Sequence, residues 1–443
     1  MTERDFAIDV VRRLREAGFQ ALWAGGCVRD QLLGLSPKDF DVATDARPDD
    51  VQRLFRRTVA VGVSFGVVEV LGPPPLKVQV ATFRADVSYS DGRRPDAVVF
   101  TSAREDALRR DFTINGMFFD PLENQVIDYV EGQKDLEARV LRAIGEPAER
   151  FAEDKLRLLR AIRFATHYEL SFEPATASAL RAMADQISVV SAERIAEELR
   201  RLLVDVHRQR GMELFMDMGL AQAIIPELLE MKGVPQGPPD APTGDLWDHV
   251  LRVFDLLGPE PSFPLAFAAL LHDVGKKRTI GRTPDRYTFY NHEHVGRRLA
   301  YEICRRLKLS NDERERIEWL VEKHQFLCEA RQMRQSKLKV ILIHPGIREL
   351  LALHRADARA SGRSEDHVDF CEQCLRQWSP QDLDPPPLIT GDDLVRHGLE
   401  PGPHFKALLD AVREAQLEGT ITTAEEAIAL VFRLRAEGKR DTQ

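Results

Sequence analysis

Cysteine is scarce in this chain: five in 443 residues, an odd number and too few for a disulfide framework of that length. Such usage suits a reducing compartment, and the cytoplasm is the expected location. Long apolar runs are also missing. No stretch reaches the roughly 18 apolar residues that suggest a membrane span, so no membrane partner is expected. The opening MTERDFAIDVVRRLREAGF has acids among its bases, no apolar centre and no cleavage site, which argues against a signal peptide. It reads instead as an amphipathic helix, with Phe6, Val10, Val11 and Leu14 at helical spacing. An excess of positive charge is lacking as well. Lys and Arg number 62 against 71 Asp and Glu, a net charge of −9, which argues against a nonspecific nucleic-acid coat. A local basic groove stays open, because arrangement counts for more than totals. No repeat of fixed period occurs, and nothing in the sequence implies a stable protein partner.

What is present is an ordinary globular composition, 43% hydrophobic and 30% charged, with length for roughly two to four domains. Up to about residue 140 the β-branched runs TVAVGVSFGVVEVLG, LKVQVATFR, DAVVF and QVIDYV, bounded by Gly, Pro or Asp, read as strands. From about residue 145 the pattern turns helical, as in AERFAEDKLRLLRAIRFATHY and SAERIAEELRRLL. Breaks fall at GVPQGPPDAPTGD, from Gly233, and at SPQDLDPPPLITGDD. The fold class is α+β: a mixed head followed by helical segments, with the KRDTQ tail read as frayed.

The chemistry begins with WAGGCVRDQLLGLSPKDFDVAT, Trp23 to Thr44. Asp39 and Asp41 stand at i and i+2, a spacing that projects both carboxylates from one face of a strand while Phe40 and Val42 turn inward. Two repelling carboxylates are stabilised by hard cations, and Mg²⁺ takes carboxylate and phosphate oxygens. Two such ions can clamp the attacking and leaving oxygens of an in-line phosphoryl displacement. Ahead of them, the turn at Gly25 and Gly26 lets backbone N–H groups approach phosphates, and Arg29 can reach a triphosphate. Further on, RRDFTINGMFFDP brings Arg110, Asp111 and Asn115 together. EDKLRLLRAIRF then adds Asp154, Arg157, Arg160 and Arg163. At helical spacing Asp154, Arg157 and Arg160 share one stripe, opposite Leu158, Leu159 and Ile162. A salt-bridge ladder on a surface helix would give the same letters.

From about Leu22 to Arg201 the chain resembles the bacterial-type class II tRNA nucleotidyltransferases, the CCA-adding enzymes, and the related bacterial poly(A) polymerases. GGCVRDQLLG, DFDVAT, VGVSFGVVEV, RRDFTING and EDKLRLLRAIRF occur in the family's order. The resemblance implies a polymerase-β-like head over residues 1–143, an all-helical neck with an RNA-binding segment over 144–232, a body over 245–378 and a tail over 386–436. It implies that Asp39 and Asp41 hold catalytic Mg²⁺, that Gly26 and Arg29 contact the triphosphate, and that Arg110 and Asp111 serve the ribose and phosphate region. Asp154 and Arg157 would read the base, with Arg160 and Arg163 nearby. A carboxylate beside a guanidinium matches the edges of cytosine and adenine, whereas uracil and guanine leave polar groups unpaired, at about 1–3 kcal/mol each. The implied reaction is template-independent addition of CCA to tRNA from CTP and ATP, with release of pyrophosphate.

Two positions depart from the family. Gln79 replaces a glutamate before TFR, and Gly116 stands where alanine is commoner. The Asp91–Gly92 turn lies in a loop that, in the family, takes part in the switch from C to A addition; a plain surface hairpin is an equal reading.

A second cluster lies in the body: His249, the doublet His272–Asp273, His292, His294, His324 and Asp357. Mixed N/O ligands of this kind suit Mg, Mn, Ni or Fe better than structural zinc. The spacing resembles HD-domain phosphohydrolases. It implies His249, His272, Asp273 and Asp357 as ligands of Mg²⁺ or a divalent transition metal, with His292 and His324 completing a second position and His294 outside it. Hydrolysis of phosphoesters would be its work. CEQC, with Cys371 and Cys374, has no partner pair and reads as two helix-facing thiols. In the tail, Gly398 and PGP suggest a tight turn between helices that could contact an RNA backbone or simply cap the fold. Alternatives stay open: a poly(A) polymerase, a CC-only or A-only enzyme, an HD phosphohydrolase with a nucleotide-binding head, and, furthest, a non-catalytic RNA-binding module.

Overall fold

The computed structural model describes residues 1–62, 66–87, 97–237 and 244–438. The Asp91–Gly92 turn, residues 238–243 of the Pro/Gly-rich break and the KRDTQ tail lie outside the described residues. Two compact units divide the chain: Met1–Leu229 with Arg306–Leu309, and Glu230–Arg305 with Ser310–Gln443.

The first unit opens with α1 (Glu3–Glu16). Thr2 and Asp5 close a capping box, each side chain accepting the other's backbone N–H, at 3.1 and 2.9 Å. Phe6, Val10, Val11 and Leu14 are buried, as their spacing demanded. There follow β1 (Ala21–Ala24), α2 (Gly26–Leu32), β2 (Asp41–Thr44), α3 (Pro48–Leu54), β3 (Thr58–Gly62), β4 (Val67–Leu71) and β5 (Lys77–Thr82). Next come β6 (Arg84–Val87), β7 (Ala97–Phe100), α4 (Ala103–Leu108), β8 (Phe118–Asp120) and β9 (Gln125–Ile127). Seven strands form one sheet in the order β3-β4-β5-β2-β1-β8-β9, while β6 and β7 pair apart. Within the sheet β2 and β5 run parallel and the other pairs antiparallel. Leu22, Ala43, Phe83 and Phe118 build the core on one face, with Ala103 and Ala107 of α4 packed onto it.

Helices then take over: α5 (Gly132–Glu137), α6 (Pro147–Glu153), α7 (Leu156–His167), α8 (Pro174–Met183), α9 (Ala192–Leu203), α10 (Arg208–Asp217) and α11 (Leu220–Ile224). Leu158, Leu159 and Ile162 of α7 are fully buried and turn its arginines to the opposite side. Asp154 is a correction to the sequence reading. It lies in the break between α6 and α7, in extended conformation, rather than on a continuous helix with Arg157 and Arg160.

Among its described residues the second unit is helical apart from two-residue strand pairs. Its elements are α12 (Leu246–Asp255), α13 (Phe263–Leu271), α14 (Lys276–Thr279), α15 (His292–Arg306), α16 (Asn311–Lys323), α17 (Gln335–Leu342), α18 (Ile347–Ala360), α19 (Asp366–Gln377), α20 (Pro380–Leu383), α21 (Gly391–Arg396), α22 (His404–Leu417) and α23 (Ala424–Gly438). Helix α13 is apolar nearly all round, with residues 265–271 buried, and it forms the centre against which α12, α16 and α18 pack. Cys371 and Cys374 are buried side chains of α19.

Candidate active site

In the first unit a cavity of about 650 Å³ opens beside the sheet. Eight arginines line it against three aspartates, Asp41, Asp111 and Asp154, so it is built for an anion. Of the residues picked out from sequence, Gly26, Arg29, Asp41, Arg110, Asp111, Asp154, Arg157, Arg160 and Arg163 all face it; Asp39 does not.

Asp39 precedes β2, and the alternation of exposed Asp39, buried Phe40, exposed Asp41 and buried Val42 carries both carboxylates to the outer side. Phe40 packs on Trp23, with ring centroids 4.7 Å apart, which anchors the approach to β2. Loss of water in the cavity pushes the Asp41 carboxyl up; Arg110 pulls it down and the charge on Asp39 raises it again. A carboxylate under that pressure, with a second one two residues away, fits a hard cation bound through oxygen. On the neighbouring strand Gln79 stands in register with Asp41 and is exposed, while Val78 and Val80 turn inward. An amide thus occupies the place where a third carboxylate would sit.

The arginines are pre-positioned. Arg29 is buried against the rings of Tyr168 and Phe164, with its guanidinium carbon 4.2 and 5.4 Å from their centroids. It donates to Asn115 Oδ1 at 2.5 Å and to Asp30 Oδ1 at 2.8 Å. Arg110 donates to Asp106 at 2.9 Å and to the Asn115 carbonyl at 3.2 Å. Asp111 accepts from Arg160 at 2.6 and 3.0 Å and from Asn115 Nδ2 at 3.0 Å. Burial alone would push the Asp111 carboxyl up, but Arg160 and Asn115 hold it well below the usual carboxylate range. Arg163 donates to Glu198 at 2.5 Å and lies over Phe164.

Asp154 is gripped by Arg194, whose two guanidinium nitrogens donate at 2.7 and 3.2 Å, and it also accepts the Leu156 N–H at 3.0 Å. Arg157 is tied to Glu153 at 2.5 Å and to the Arg109 and Arg150 carbonyls. The acid and the arginine expected to read a base together therefore each lean on another residue. Arg194, Glu198, Phe164 and Tyr168 escaped the sequence reading, because on amphipathic helices they look like ordinary wet-face and core residues.

The second unit brings the HD cluster together. The ligand atoms of His249, His272 and Asp357 lie within 4.8 Å of one another, as do those of Asp273, His292 and His324, and all six residues are buried. His294 has a largely exposed side chain beside Glu293 and Glu322. The Nδ1 atoms of His272, His292 and His324 each lie 2.7 Å from a backbone carbonyl three residues earlier, of Ala269, Phe289 and Val321. A carbonyl only accepts, so each Nδ1 donates to it and each ring turns its Nε2 inward. Those of His292 and His324 are 3.2 Å apart, and 3.3 and 3.4 Å from Asp273 Oδ1. His272 Nε2 and Asp273 Oδ1 are buried without a hydrogen-bond partner. Inward imidazole nitrogens and carboxylate oxygens converging in this way fit cations. Burial would raise the Asp273 carboxyl, but Lys276 at 2.7 Å and His272 hold it well below its ordinary value. Gly275 admits no side chain: a Cβ there would stand 2.2 Å from the His292 carbonyl oxygen, so the close approach of α15 that delivers His292 requires glycine.

An outward acidic pair on a mixed sheet stands next to an arginine-lined cavity, and a helical part carries a His/Asp array. Three family models match successive parts of the chain. The sequence model of the "Poly A polymerase head domain" matches residues 21–142, that of the "Probable RNA and SrmB- binding site of polymerase A" residues 169–232, and that of the "HD domain" residues 246–357. Relatives named CCA-adding enzyme include that of Lacticaseibacillus paracasei, 41% identical over 50% of this chain and 56% of its own length. Another, from Latilactobacillus sakei, is 38% identical over 58% of this chain and 65% of its own. The chain thus spans between about half and two thirds of the length of these relatives. Among solved structures, the Bacillus stearothermophilus CCA-adding enzyme in complex with CTP shares the fold at a TM-score of 0.72 and 24% identity, over 99% of this chain and 100% of that one. The Thermotoga maritima CCA-adding enzyme complexed with tRNA shares it at 0.59 and 18%, over 97% and 94%. No helix of the described residues is long and apolar enough to cross a membrane.

Proposed function

We propose that the chain adds CCA to the 3′ ends of tRNA without a nucleic-acid template, using CTP, ATP and Mg²⁺ and working in the cytoplasm. The observation that carries this reading is the single cavity in which Asp41 faces Arg29, Arg110, Asp111, Asp154 and Arg157. In the reaction the tRNA 3′-hydroxyl attacks the α-phosphorus, and the bond to the leaving pyrophosphate breaks. Asp39 and Asp41 would hold magnesium, which when bound neutralises charge on the reacting phosphate oxygens. Arg29, reached through the Gly25–Gly26 turn, binds the triphosphate, and its aromatic walls fix it beforehand. Arg110 and Asp111 orient the ribose and phosphate, while Asp154 offers an acceptor to the exocyclic amine of cytosine or adenine and Arg157 a donor. Arg160 and Arg163 hold this frame through Asp111 and Glu198. The head, neck, body and tail follow the boundaries given above. In a tRNA extension assay, Asp41→Ala and Asp39→Ala abolish transfer while the fold is kept; near-normal extension by either would refute the assignment.

The six buried ligands in the body favour a second activity, hydrolysis of phosphoesters such as 2′,3′-cyclic or terminal phosphates. Asp273→Ala should remove it and leave tRNA extension in place. Phosphatase activity that survives Asp273→Ala would place hydrolysis elsewhere.

A further inference from the structure

The second unit holds a third group of ligand-bearing side chains, separate from the HD array. The ligand atoms of Cys328, His354 and His367 all lie within 4.8 Å of one another. Three segments deliver them: Cys328 follows α16, His354 lies on α18, and His367 is in the first turn of α19. His354 is only 2% exposed, so its protonation and partners are set by the protein. Its Nε2 faces the Lys323 carbonyl at 3.2 Å, which makes Nε2 the protonated nitrogen and leaves a lone pair on Nδ1. That Nδ1 lies 3.3 Å from His367 Nε2. His367 has a separate hydrogen bond to the Ser364 backbone. Burial holds His354 down at about 3, so its ring is neutral near pH 7 and able to act as a ligand.

The separation matches a metal centre. Two metal–nitrogen bonds of about 2.0–2.1 Å at a tetrahedral angle place the nitrogens about 3.4 Å apart. A thiolate in the same shell turns selectivity away from magnesium and towards zinc-class ions. The HD array contains no sulfur, so the two sites differ in chemistry as well as in residues. We propose that Cys328, His354 and His367 bind a zinc-class divalent ion, with a fourth position open on the exposed side where Cys328 lies. His354 precedes the HD ligand Asp357 by three residues on α18, so an ion here ties α19 and the segment after α16 to the turn that presents Asp357.

The test uses the full chain, stripped of metal and titrated with Co²⁺, which reports a thiolate ligand by a near-ultraviolet charge-transfer band. The band should appear in the parent chain and in His249→Ala, saturate with a single Co²⁺ per chain, and vanish when Zn²⁺ is added. Cys328→Ser should abolish it and lower bound zinc by one ion per chain. His367→Ala supplies the same loss through an imidazole ligand if the serine variant folds poorly by circular dichroism. A parent chain without the band, or a band undiminished in Cys328→Ser or His367→Ala, would overturn the proposal.

Discussion

Asp154 already accepts three hydrogen bonds, two from Arg194 and one from the Leu156 N–H. A carboxylate has about four acceptor positions, so about one remains for the cavity. In the proposed reaction an amine donor such as that of cytosine or adenine would fill it, and a carbonyl there would be repelled. Asp154→Asn replaces an acceptor with a donor and should reduce the preference for CTP and ATP over UTP and GTP by about 1–3 kcal/mol, or about 5- to 150-fold. Competition assays with paired nucleotides measure this, and unchanged selectivity would remove Asp154 from the reading of the base. Asp111 makes a second residue-scale prediction, about pH. Its folded value lies below that of an unfolded aspartate near 3.9, so its contribution is full above that value and lost as pH falls through the folded one. Asp111→Asn should therefore flatten the fall in melting temperature between about pH 5 and pH 2, relative to the parent chain. Charged residues in short motifs were legible in the sequence because chemistry restricts them to few types. Their partners were not: Arg194 is 40 residues from Asp154, and only folding brings it to that carboxylate. Gly116 likewise had no reading from letters, yet a Cβ there would meet Val130 at 2.7 Å and Ile144 at 2.9 Å.

Elements show where periodicity informs and where it fails. Helix α1 was legible because a capping box and an apolar stripe coincide. Strands β3 to β5 carry enough β-branched residues to declare themselves. The inner strands β1 and β8 do not, since four and three buried residues leave no alternation to see. The break at Asp154 was hidden for a different reason: apolar spacing continues across it, and no glycine or proline marks it. In the second unit, helix α15 is held against the turn after α13 by contact at Gly275. Gly275→Ala should force α15 away, cost about 1–3 kcal/mol of stability and lower metal binding by the HD array. Thermal melts and metal analysis of that variant check it; a fully loaded, equally stable protein would show that the contact does not position His292.

At the scale of the whole molecule, net charge misleads. The chain totals −9, yet eight arginines face one cavity. Fields follow local arrangement, so tRNA binding should weaken steeply with salt despite the acidic total. Replacing Arg201, which lines the cavity, with alanine should reduce the slope of log affinity against log salt by about 0.7–0.9, the share of one phosphate contact. A slope unchanged by the substitution would place the RNA backbone elsewhere. The division of labour between a mixed head and a helical remainder was visible in the shift of pattern near residue 145. The convergence of His249, His272 and Asp357 from α12, the end of α13 and α18 was visible only through resemblance, because spacing over 108 positions has no local signature.

The proposed function requires that the molecule build a defined three-nucleotide end and stop. The direct measurement incubates the full chain and Mg²⁺ with tRNA ending at the discriminator base, tRNA ending in CC, and an unstructured RNA, each with CTP, ATP or both. Products are sized at single-nucleotide resolution. Three additions to the first RNA, one to the second, and no extension of the third are expected. Long adenosine ladders on all three would contradict the account and indicate a poly(A) polymerase, and CC-only or A-only products would indicate divided labour.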